Sequence, residues 1–219
     1  MHFEFLVEDS SGRELVEILL PKLLGAQGFA HSWRVHSYKG LGRLPRDILR
    51  PRSDAYKRVL LDGLPQILRG LSRCDGIDAI VVLIDADKRP CEAFLAELLN
   101  VAKSCGAVAK TMFRLAIEEI EAWYLGDEAA ILEAYPRAKI KILRNYVPDS
   151  VCDTWETLAD AVVVGGRDTV MRIGGPHAGD YKHEWARTIG PKLVVERNRS
   201  QSFRKFCQGL QRKTLDSRA

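Results

Sequence analysis

The sequence predicts an α/β fold: a mainly parallel central sheet with helices on both faces, followed by a mostly helical C-terminal extension. Three observations carry this expectation. Strand-like and helix-like segments alternate from the N-terminus to about residue 135. The run "DAIVVLID" (78–85) is almost continuously apolar and β-branched, as in a strand covered on both faces. After Pro136 the alternation fades into helical and glycine-rich stretches. The expected division is therefore 1–135 as the α/β core and 136–219 as an extension packed on it.

Residues 2–8 read as the first strand, and a helix is expected from about Gly12 to Leu24. Ser11 with Glu14 three positions on is a capping-box signature for its start. "SWRVHSY" (32–38) has the aromatic and β-branched content of a second strand, and "KGLGRLPRDILRPRS" (39–53) reads as a loop. "DAYKRVLLDGLPQILRGL" (54–71) has helical spacing, with an interruption expected near Pro65. "PCEAFLAELLNVAKSCG" (90–106) is a helix with Pro in its first turn and Gly just past its end. "AVAKTMFRLAI" (107–117) is a further strand, and "EEIEAWYLGDEAAILEAY" (118–135) is helical. In the extension, "CDTWETLADAVV" (152–163) reads as helix and "GGRDTVMRIGGPHAGDYK" (165–182) as loop. "SQSFRKFCQGLQRKTL" (200–215) is an amphipathic basic helix capped by Ser200 or Ser202.

A chain of 219 residues fills one domain, or one domain with a helical appendage. No apolar run reaches the ~20 residues that span a bilayer, so no membrane partner is expected. The opening "MHFEFLVE" lacks the order of a signal peptide, and the cytoplasm is the expected location. The five cysteines include no C-x-x-C pair and read as free thiols. Net charge is only +4, but its cations cluster. Arg34, Lys39, Arg43, Arg46, Arg50, Arg52, Lys57 and Arg58 crowd one segment, and Arg199, Arg204 and Lys205 belong to a basic tail. Such clusters suit a phosphate-tracking surface, although a solvated helix face gives the same pattern. Arg43, Arg46, Lys182, Arg199, Arg204 and Lys205 are the expected nucleic-acid contacts, with DNA ahead of RNA. "GLGR" and "GGPHAGD" lack the G-K-[ST] of a phosphate-binding loop, which argues against ATP hydrolysis by this chain.

The acids carry the chemistry. Glu8 ends the first strand, and Asp85 and Asp87 end the central one. Ligands of open parallel sheets gather at the carboxyl ends of strands. Residues two apart on a strand point to one side, so the two aspartates are expected to converge on one ion. An all-oxygen donor set favours Mg²⁺ or Mn²⁺, and phosphate-ester chemistry is the natural use of such an ion. The competing structural explanation is that the aspartates merely end a strand and open a turn. Glu118, Glu119 and Glu121 follow the next strand; they face the same edge or simply favour a helix N-terminus.

These residues also carry a resemblance. "FLVEDSSGREL" (5–15) resembles the Glu-bearing motif of the Toprim superfamily, and "VVLIDADK" (81–88) resembles its D-x-D motif. "EIEAW" (119–123) and "NRSQSFRKF" (198–206) are similar to signatures of an uncharacterised bacterial Toprim-like family, sometimes encoded beside ATPases in presumed antiphage systems. The resemblance implies that Glu8 is a metal ligand or general acid–base, that Asp85 and Asp87 bind Mg²⁺, and that Glu119 and Glu121 are catalytic-site glutamates. It implies a Mg²⁺-dependent nuclease of antiphage defence. The alternative is a non-catalytic nucleic-acid-binding or regulatory subunit of an ATPase complex. The chain departs from the pattern at Asp9, where many relatives have Gly. It departs again at Gly12, where Toprim nucleases often place another acid.

Overall fold

The structure, a computed structural model, describes residues 1–48, 58–150 and 153–216. Arg50, Arg52, Lys57 and Cys152 lie outside the described residues. The core elements are β1 (His2–Val7), α1 (Ser10–Leu24), β2 (Ser32–Ser37), α2 (Leu60–Arg73), β3 (Ala79–Asp85), α3 (Cys91–Ser104) and β4 (Thr111–Ala116). Short helices α4 (Glu121–Leu125), α5 (Glu128–Ala134) and α6 (Ile140–Asn145) follow. The chain then forms α7 (Thr154–Val162), α8 (Gly166–Ile173), α9 (Gly175–Ile189) and α10 (Gln201–Asp216).

The four strands form one all-parallel sheet in the order β2-β1-β3-β4. Alternation along each strand sends side chains to two separate cores. Phe3, Phe5, Val7, Val81 and Leu83 pack with residues of α1, α9 and α10, among them Leu15, Trp185 and Phe203. Leu6, Ile80, Val82 and Ile84 pack on the other face with Leu64, Leu68, Phe94 and Leu98 of α2 and α3. The predicted α/β class and C-terminal helix are therefore present. The extension shares the first of these cores, with α9 along α1 and α10 beside β4.

Several local expectations are corrected. Helix α1 starts at Ser10, and its cap is Asp9, whose carboxylate accepts from Gly12 N at 2.7 Å. Ser11 sits in the first turn and donates its hydroxyl to Asp9 at 3.0 Å, while Glu14 bonds His183 instead of folding back. Asp9 stands one residue before the first turn, the position from which a side-chain oxygen reaches the unpaired N–H groups of a helix start. Helix α2 passes Pro65 without interruption. Its first N–H groups, from Leu60 and Leu61, are anchored to Gly40 and Leu41 carbonyls, which helps hold the turn around the missing proline donor. The 118–135 stretch divides into α4 and α5, because Asp127 caps α5 by accepting from Ala130 N at 3.1 Å.

The largest correction concerns 165–182, which is not a loop but α8 and the first half of α9. Its glycines punctuate helix ends: Gly165 and Gly174 take φ of 83° and 68°, conformations open to glycine at little cost. Buried Val170, Trp185, Ala186 and Ile189 hold the two helices on the core. Ser200 caps α10 as expected, accepting from Phe203 N at 3.2 Å.

Candidate functional site

The carboxyl edge of the sheet is where the acids meet. Val7 is opposite Leu83, so Glu8 leaves the sheet beside the last residues of β3. Asp85 is opposite Ala116, and two further backbone bonds of 2.9 Å, Ala86 N to Ala116 O and Asp87 N to Glu118 O, stitch the following loops together. Asp87 and Glu118 both adopt left-handed backbone, with φ of 48° and 63°. That conformation costs a non-glycine residue about 1 kcal/mol and often marks a functional edge.

Burial and mutual repulsion dominate the electrostatics. Oε2 of half-buried Glu8 has no hydrogen-bond partner among the described residues; burial first, then Asp87 and Asp9, push the Glu8 carboxyl up to about 7. Asp85 is pushed well above the carboxylate range by burial and by the charges of Glu8 and Glu121. Glu121 is 1% exposed and neither of its oxygens has a hydrogen-bond partner among the described residues. Burial drives its carboxyl up to about 7 even though Lys182 lies close. Lys182 Nζ is 3.4 Å from Oε1 of both Glu119 and Glu121. Burial alone would lower the lysine, but Glu121, Glu119, Asp85 and Asp9 together raise it, so it keeps its proton.

Not every expected residue points inward. The D-x-D aspartates differ in their surroundings: Asp85 feels burial and the charges of Glu8, Glu121 and Lys182, whereas the Asp87 side chain is 53% exposed and 3.8 Å from Arg89. The strand ends at Asp85, so strand parity no longer governs Asp87. Asp87 still flanks Glu8, whose proton it helps hold. Glu119 pairs with Lys182 and accepts from Thr154 Oγ1 at 3.3 Å. Glu118 instead accepts from the Asp153 N–H and, at 3.0 Å, from Thr154 N, which anchors the start of α7. Lys182 is paired inside the acid pocket, while Arg43, Arg46, Arg199, Arg204 and Lys205 are exposed. Lys205 joins Arg114 and Arg212 in lining a groove of about 460 Å³ between α3, β4 and α10. Asp9 and His183, which the sequence offers only as an acid at a strand end and a histidine near a glycine-rich stretch, belong to the site's surroundings. Asp9 had a legible signal, a carboxylate just before a helix, but the partner of His183 is 173 positions away.

The 119–123 and 198–206 signatures form a structural clamp. Asn198 Nδ2 donates to Trp123 O at 2.8 Å, and Trp123 Nε1 donates to Ser202 Oγ at 3.0 Å. Asp149 accepts from Ser200 Oγ and Ser202 N, each at 2.9 Å. These buried bonds fix α4, and with it Glu121, against the start of α10. Among the described residues, no three His, Cys, Asp or Glu side chains stand close enough to hold one metal ion.

Residues 7–211 match the family described as "Domain of unknown function (DUF4276)". The chain belongs to the DUF4276 family. The matched span contains all the acids of the DUF4276 pocket, and its description names neither an activity nor a wider superfamily. No curated protein and no solved structure matches.

Proposed function

We propose that this DUF4276 protein is a Toprim-like nuclease that uses Mg²⁺ or Mn²⁺ to hydrolyse nucleic-acid phosphodiesters at the carboxyl edge of its sheet. One observation carries the reading: Glu8, Asp85 and Glu121 are gathered there with Glu8 Oε2 and both Glu121 oxygens buried and unbonded. Buried carboxylates without donors are costly, and the chemistry of this donor set fits a hard cation. Glu8 and Asp85 are the residues that would hold it, joined by Asp87 if its exposed side chain swings in toward Glu8. A bound ion would polarise the phosphate and ease deprotonation of an attacking water.

The protein's own groups supply the rest. Lys182, held protonated beside Asp85 and Glu121, offers positive charge to a phosphate oxygen. Glu121, its carboxyl near 7, is poised to take up or release a proton at neutral pH. The exposed Arg43, Arg46, Arg199, Arg204 and Lys205 would hold the strand, with DNA preferred to RNA. Antiphage defence in the cytoplasm, alongside an ATPase partner, is the setting that the Toprim-like resemblance implies.

A second reading has its own support. No three described ligands close around an ion, and Lys182 already neutralises part of the pocket; both favour a non-catalytic nucleic-acid-binding or regulatory subunit. Incubation with plasmid and single-stranded DNA in Mg²⁺ or Mn²⁺ separates the two. Nuclease action predicts cleavage that Asp85→Asn lowers by about 10²–10⁴-fold. Binding without cleavage, or cleavage indifferent to Asp85→Asn, overturns the nuclease.

A further inference from the structure

Where α1 packs along α9, three side chains that the phosphodiester reading does not use stand in one hydrogen-bonded line. Ser10, the exposed first residue of α1, has its Oγ 3.0 Å from Nε2 of His183. His183 Nδ1 lies 2.7 Å from Oε2 of Glu14, one turn along α1 from Ser10. The other Glu14 oxygen accepts from Arg187 Nε, one turn along α9 from His183. A carboxylate at Nδ1 makes that nitrogen the donor and leaves Nε2 to accept the serine proton. Burial would raise the Glu14 carboxyl, but its bonds from Arg187 and His183 outweigh this and hold it below the ordinary value, so it remains an ionised acceptor.

The chain around the serine is arranged to match. β1 ends at Val7 and Ser10 opens α1, so the N–H groups of Ser10 and Ser11 lie in the first helical turn, ahead of the first helical bond from Arg13 N to Asp9 O. The N–H of the residue after a nucleophile is the position from which an oxyanion is commonly held. Two residues on, Gly12 lets the helix close on the strand: a Cβ there would stand 2.9 Å from Val7 Cγ1. Ser10 keeps negative φ, so the turn is an unstrained version of a strand–nucleophile–helix junction.

We infer that Ser10, His183 and Glu14 form a nucleophilic relay that hydrolyses a neutral carboxylic ester without a metal. A neutral carbonyl is the class the surroundings admit, because the Asp9 side chain, which accepts from Gly12 N and Ser11 Oγ beside the serine, presents acceptor oxygens where an anionic phosphate ester would have to sit. Ser10 Oγ bonds to the carbonyl carbon as its proton passes to His183 Nε2. The ester C–O bond breaks, and the imidazolium returns that proton to the departing alcohol. Water then attacks the acyl-serine; His183 takes its proton and hands it to Ser10 Oγ as the acid leaves. Glu14 orients the imidazole and balances its transient charge.

A mere clamp between two helices would show the same distances but no reactivity, so reactivity is the test. The full chain is treated with a fluorophosphonate probe in a metal chelator, the adduct is located by peptide mass spectrometry, and p-nitrophenyl acetate turnover is followed. A single adduct on Ser10, absent in Ser10→Ala and formed about 10²-fold more slowly in His183→Asn, is expected. No adduct on the folded chain, an equal rate in His183→Asn, or loss of turnover with chelator overturns the relay. Because His183→Asn also removes an interhelical contact, Ser10→Cys gives an independent check. Iodoacetamide should alkylate that cysteine faster than exposed Cys74, and equal rates overturn the proposal. DNA cleavage is a separate readout, so failure of either activity leaves the other standing.

Discussion

Glu121 opens α4 and Asp127 lies just past its end; each is 1% exposed, and they are treated in opposite ways. Asp127 is saturated: it accepts from Ala130 N at 3.1 Å, Val194 N at 3.0 Å and Arg197 Nε at 2.6 Å. Among the described residues, Glu121 accepts no hydrogen bond and is met by Lys182 at 3.4 Å. Glu4, buried within the sheet, resembles Asp127, with His36 Nε2 at 2.6 Å and His2 Nε2 at 3.3 Å. A buried carboxylate with all its donors is architecture. One without them costs stability that the fold recovers elsewhere, and such costs concentrate where a ligand is to be met.

The sharpest way to break this contrast is to remove each acid. Asp127→Ala deletes a helix cap and orphans the Val194 N–H and the Arg197 guanidinium, so a loss of about 3 kcal/mol is expected in urea denaturation. A loss under about 1 kcal/mol would mean that the bonds around Asp127 hold nothing. Glu121→Gln should go the other way, leaving stability unchanged or raising it by about 1 kcal/mol, because it removes a buried charge and Lys182 keeps Glu119. Destabilisation as large as that of Asp127→Ala would erase the distinction.

The smallest effect is pH dependence. The carboxyls of Glu8 and Glu121 rise from 4.5 to about 7 in the folded protein. A carboxyl with a raised folded pKa contributes stability that is complete below its unfolded value and disappears as pH climbs through the folded one. The melting temperature should therefore fall by a few degrees between pH 5 and pH 8, and Glu121→Gln should flatten the slope. Lys182, raised rather than lowered, stays charged across this window and adds no slope. Millimolar Mn²⁺ at pH 8 should recover part of the loss if the acids take up a cation, and a melting temperature indifferent to Mn²⁺ counts against that use of the pocket.

What the sequence determined by itself was the local and periodic part of the molecule. The apolar run in residues 2–8 and the β-branched run at 78–85 are enough to specify strands, and strand ends place Glu8 and Asp85 at one edge of a parallel sheet. Ser200 as the cap of α10 and Gly106 after α3 follow from chemistry within a single turn. Only the tertiary structure decided the rest, because those outcomes depend on partners far away along the chain. The glycines at 165 and 174 read as a loop until the buried faces of α8 and α9 are seen to hold helices between them. Lys182 becomes a counter-ion to Glu121 because α9 packs against α1, and Asp85 and Asp87 part company because the strand stops between them. Periodicity records the free energy of burying one face of one element, whereas the charge state of a pocket is set by whichever elements finally surround it.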